Sequence, residues 1–129
     1  MTANACIPAD KHDIAAVHRA AALAPEARAP LLPGLLEWVQ DANWPVARPV
    51  ADLLVAEGAA LLPHLRAILN GEDAVWKYWL IELVIARLPP PDLAPLRPLL
   101  ERLATAPGPE DRAEEVHLAA RAALSPQPG

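Results

Sequence analysis

The sequence predicts an all-α fold, built as a short solenoid of helical hairpins. Three observations predict it. The apolar residues, within a 53% hydrophobic composition, are mainly Leu and Ala with few β-branched residues, which favours helix over strand. A Leu-Leu-Pro pattern recurs along the chain at solenoid spacing. Apolar residues fall at three- and four-residue intervals, and no window sustains the alternation of a strand.

The recurrence reads Leu31-Leu32-Pro33-Gly34-Leu35, then Leu61-Leu62-Pro63-His64-Leu65, with a looser copy at Leu96-Arg97-Pro98-Leu99. Pro33, Pro63 and Pro98 are 30 and 35 residues apart, within the range of helix-hairpin repeats. Each copy opens an amphipathic run, the first through Leu32, Leu35, Leu36 and Val39. The first hairpin is predicted as Asp10–Leu23 with Pro33–Gln40, with Asp10 as helix N-cap. The second pairs Pro45–Glu57 with Leu61–Asn70; Pro45 and Pro49 fit its first turn, whose amides lack intrahelical acceptors. The third pairs Val75–Leu88, apolar on two stripes and therefore central, with Pro95–Ala104. Pro89-Pro90-Pro91 ends the central helix. A closing helix, Pro109–Leu124, carries only Val116, Leu118 and Leu124 as large apolar residues and suits a terminal cap. The expectation is one HEAT-like helical-repeat domain over residues 1–129, with residues 1–9 and 125–129 as flexible ends.

A net charge of −5 and a pI near 5.3 weigh against nucleic acid and against an anionic membrane surface as partners. They leave a basic protein partner open, although many proteins are this acidic for solubility alone. Cys6 is the only cysteine, so no intrachain disulfide can form, and a cytoplasmic location is expected. It sits in an N-terminal stretch expected to be mobile, with no cue for activation. No apolar run reaches signal-peptide or membrane-span length. Phosphate-binding glycine loops, nucleophile elbows, paired cysteines and metal-ligand spacings are all missing, so no cofactor and no metal are expected. His18, His64 and His117 lie on different helices and read as edge-of-core residues.

The aromatics are concentrated. All four Trp and the single Tyr of this Phe-free chain fall between Trp38 and Trp44 and between Trp76 and Trp79. Such windows are either the centre of a core or the wall of a site. The candidate partner-binding residues are Gln40, Asp41, Asn43 and Trp44 from the first window, and Asp73, Trp76, Lys77 and Tyr78 from the second. Trp76 and Trp79 are three apart, so both should face the core, with Asp41 or Gln40 accepting an indole N–H. Lys77 should pair with Asp41 or Asp73, or snorkel outward.

Three pieces together resemble one bacterial family, domain of unknown function 5071. They are Ile7-Pro8-Ala9-Asp10-Lys11-His12-Asp13-Ile14, the run from Leu35 to Pro45, and Trp76-Lys77-Tyr78-Trp79. Pro109-Glu110-Asp111 with Glu114-Glu115-Val116 fits the same pattern, whereas Ala9 and Ala42 stand where bulkier residues are expected. The resemblance implies a small, all-α, HEAT-like cytoplasmic bacterial domain; it brings no reaction, cofactor or catalytic residue.

The functional expectation is a non-catalytic module that binds another protein, with an immunity protein neutralising a cognate toxin as its sharpest form. One alternative is a HEAT-like enzyme acting on a flipped nucleic-acid base, stacked by Trp44, Trp76 and Trp79 beside Asp41. Another is a small-molecule binder using the same aromatic groove. Oligomeric state is not readable from the sequence.

Overall fold

The computed structural model describes residues 3–125 of the chain. Among them every regular element is a helix or a 3-10 turn. The expected flexible tail lies outside the described residues from 126 onward, as do Met1 and Thr2.

Helix α1 spans Ile14–Ala21, starting later than expected because Asp13, not Asp10, is its cap. Asp13 Oδ1 accepts the Ala16 N–H at 3.2 Å, and Oδ2 accepts the Ala9 N–H at 3.0 Å. Asp10 instead closes a turn by accepting the His12 N–H at 2.8 Å. The Ala9 amide above all, then the Ala16 amide and the Arg19 charge, holds the Asp13 carboxyl below its ordinary range; burial pushes the other way. Within residues 1–9, expected as a flexible end, Cys6 and Pro8 are buried. Cys6 is 2% exposed, and Arg19 Nε donates to the Ala5 carbonyl at 2.6 Å.

Proline also opens helical turns of its own. Pro25 opens a single turn, α2 (Pro25–Arg28), and Pro90 opens another, α7 (Pro90–Leu93). Proline is at home there, since its missing N–H falls where the helix needs no donor. Each Leu-x-Pro copy folds the same way, as a 3-10 turn running into an α-helix. The turn Ala29–Leu31 leads into α3 (Leu32–Leu36), Gly58–Leu61 into α5 (Leu62–Leu69), and Ala94–Leu96 into α8 (Arg97–Thr105). The marker residues Leu31, Leu61 and Leu96 are all buried.

Between these, α4 covers Ala47–Val55 and α6 covers Ala74–Leu83. The central helix is thus shorter than Val75–Leu88. Its backbone leaves helical geometry at Val84, tightens into a 3-10 turn over Ile85–Arg87, and becomes extended at Leu88, as Pro89 behind it requires. The predicted closing helix is two helices, α9 (Pro109–Ala113) and α10 (Val116–Leu124). They are separated at Glu115, which adopts left-handed backbone with φ 62°. No glycine or asparagine marks that break in the sequence.

The core is continuous. Leu35, Val50, Leu54, Leu61, Leu65, Leu80, Ile81, Ile85, Leu96, Leu100 and Val116 are all fully buried. Helix α10 packs on α8 and α6 with Ala119, Ala120 and Ala123 buried, while Leu118 is 45% exposed. The small alanine face lets the helices approach closely, so α10 seats far more intimately than its few large residues suggested. Among the described residues two charged ones are buried, Lys77 and Asp111.

Candidate binding collar around helix α6

The two aromatic windows separate in the fold. In the first, Asp41 Oδ1 accepts the Asn43 N–H at 2.8 Å, and the Trp44 N–H donates to the Asp41 carbonyl at 3.1 Å. Trp38 and Trp44 meet edge to face, centroids 5.4 Å apart at 62°. Gln40, Asp41 and Trp44 are half-buried and Asn43 is exposed. This turn is closed on itself and fixes the approach to α4. Its residues line none of the depressions described below, so this half of the candidate site does not join the rest.

The second window sits at the start of α6. Asp73 caps the helix, its Oδ1 accepting the Trp76 N–H at 3.1 Å. Trp76 and Trp79, expected to point into the core, are both only half-buried. The Trp76 indole Nε1 donates to the Leu36 carbonyl at 3.1 Å, so neither Asp41 nor Gln40 is its acceptor. Trp79 packs edge to face with Tyr78, centroids 4.9 Å apart at 80°. Lys77 pairs with neither Asp41 nor Asp73. Its Nζ donates to both carboxylate oxygens of Asp111 on α9, at 3.0 and 3.1 Å. The partner lies 34 residues downstream, and only the fold brings it within reach.

Around this helix start lies a ring of depressions that sequence reasoning did not foresee. One, of about 300 Å³, runs between Val75, Tyr78 and Trp79 on α6 and Ala113, Glu114 and Glu115 at the α9–α10 junction. It continues across the helix tip into a space of about 330 Å³ faced by Glu72, Asp73, Glu110 and Glu114. Over the Lys77–Asp111 pair a depression of about 460 Å³ is walled by Gly71, Glu72, Gly108, Pro109 and Glu110. Val75, the hydrophobe at the tip, is 44% exposed. The ring is acidic: Glu72, Asp73, Glu110, Glu114 and Glu115 face it. Lys77 is the single cation lining these spaces, and Asp111 neutralises it.

Tyr78 reports on this environment. Burial first, then the negative charges of Glu82 and Glu115, pushes its phenol above the ordinary value of 10.0. The hydroxyl therefore stays neutral and able to donate throughout the physiological range. Tyr78 is the chain's single tyrosine, so titration of phenolate absorbance reads this site alone. The expected midpoint lies above 10.0 and moves back toward it in Glu115→Gln. A raised phenol makes the folded state bind a proton that the unfolded state has lost. The contribution is full below the unfolded value and disappears as pH rises through the folded one.

Among the described residues no group of three or more His, Cys, Asp or Glu side chains is placed to hold a metal ion, and no helix is long and apolar enough to cross a membrane. The arrangement places apolar and aromatic surface beside negative charge. No curated protein matches the chain. The family described as a domain of unknown function (DUF5071) matches residues 6–124, from Cys6 at the edge of the core to the last residue of α10. The chain, an all-α protein, belongs to the DUF5071 family.

Proposed function

We propose that the chain is a non-catalytic protein-binding module that grips a basic partner through the collar around the start of α6. The carrying observation is the juxtaposition of exposed Val75 and the Tyr78–Trp79 pair with five carboxylates and no unpaired cation. Aromatic anchors inside a charged rim are the ordinary anatomy of an interface. The same charge repels phosphates and so disfavours a base-processing enzyme. The apolar cleft beside Trp76, about 130 Å³, is smaller than sites that enclose a drug-sized molecule.

We read the architecture as a short HEAT-like solenoid of three hairpins closed by α10. The threefold recurrence of a 3-10 turn running into a helix, each with a buried Leu, supports that reading. In its sharpest form the module is a cytoplasmic bacterial immunity protein, whose acidic collar covers a basic surface of its toxin. The test is protection of cells expressing a co-encoded toxin, with Glu110→Lys/Glu114→Lys, shown folded by circular dichroism, as the comparison. Protection by wild type and its loss in the variant are expected. Equal protection by both would remove the collar from the account, and protection by neither would remove the immunity role.

A further inference from the structure

The collar does not stop at its acidic part. The depression of about 320 Å³ beside Glu72 and Asp73 is bounded on its far side by Ala67, Ile68 and Trp76. These three residues also wall the apolar cleft that reaches Pro33, Leu36 and His64. Shared walls make one track: it leaves the Trp76 cleft, passes the carboxylates at the tip of α6, and ends on Val75, Tyr78 and Trp79. Along it Glu72, Glu110 and Glu114 make no side-chain hydrogen bond or ion pair among the described residues, so three carboxylates sharing this track are left uncompensated.

We infer that the occupant is an extended segment of the partner, with one aliphatic side chain seated in the Trp76 cleft and Arg or Lys following over Glu72, Glu110 and Glu114. This rests on the protein-binding reading above and specifies its partner. A track that bends around a helix tip is followed by a single extended strand, which advances about 3.3 Å per residue, rather than by one rigid face. The cleft, about 130 Å³, takes a single apolar side chain. Arginine suits the middle, because its planar fork meets a carboxylate with paired hydrogen bonds.

The probe is a set of short, acetylated, fluorescein-labelled peptides carrying one Leu and an Arg pair at varied spacing, read by anisotropy against the full chain. Binding that weakens with salt is expected for the best spacing. Replacing its Leu by Gly should weaken it about tenfold, or about 1.4 kcal/mol. That loss should vanish in Ile68→Asp, which puts a carboxylate in the apolar wall where the Leu would seat, while Glu110→Lys/Glu114→Lys abolishes binding. A Leu-to-Gly peptide that binds wild type equally well overturns the anchored track but leaves the acidic collar. Binding of a whole co-encoded protein with no peptide bound overturns the extended segment alone. If neither a peptide nor that protein binds, the protein-binding reading falls as well.

Discussion

Asp111→Ala should destabilise the fold by about 3–5 kcal/mol, because it leaves the Lys77 ammonium buried without its counter-charge. Lys77 is 6% exposed and Asp111 8%, so water reaches the pair only through the depression above it. The loss should appear in urea melts as a lower midpoint with an unchanged slope. The double variant Lys77→Met/Asp111→Leu should recover most of it, since replacing both members of a buried pair by apolar groups is often neutral. Equal losses in the single and double variants would show that the pair does not hold this region. The consequence reaches the collar. Asp111 is the one buried residue of α9, so this bridge, not apolar packing, fastens that helix to α6. When it is cut, the wall bearing Glu110 and Glu114 loses its anchor.

Arg28→Ala should be of similar size, about 3–5 kcal/mol, for a related reason. Arg28 pairs with Glu57, and their side chains are 12% and 7% exposed. Its Nη1 also donates to the Ala20 and Leu23 carbonyls, at 3.1 and 2.7 Å. One side chain thereby ties the end of α1 to the turn after α4. Removal leaves the Glu57 carboxylate and the Leu23 carbonyl without that partner, while the Ala20 carbonyl keeps the Leu23 N–H. Here Arg28→Ala/Glu57→Ala should lose less than Arg28→Ala alone. Calorimetric melting of both variants, at constant pH and salt, decides it.

Helix positions were legible in the sequence because they depend on local chemistry. Leu spacing, N-terminal proline and turn residues act within a few positions, so the Leu-x-Pro copies located the starts of α3, α5 and α8. The misplacements arise where a distant or stronger local partner decides. Asp13 outcompetes Asp10 as cap by bonding amides on both sides of itself. Glu115 takes a left-handed conformation that its identity does not announce, and so splits the last helix. Lys77 finds Asp111 only after α9 folds back on α6. The site was half legible for the same reason. Asp73, Trp76, Lys77 and Tyr78 stand at the collar because they share one helix start. Gln40, Asp41, Asn43 and Trp44 resembled them in composition, yet their polar groups are engaged in forming their own turn. The carboxylates that complete the collar come from α9, which no local pattern links to α6.

The most direct test of the collar as the binding surface is site-specific photo-crosslinking in host cells. A photoreactive amino acid is placed at Val75 or Ala113 in the collar, and at Arg48 or Ala22 as exposed positions outside it. One protein species cross-linked from the two collar positions, not from the other two, and lost when Glu110 and Glu114 are replaced by Lys, is the predicted result. Cross-links of equal yield from Arg48 or Ala22, or collar cross-links that survive the charge reversal, would contradict it.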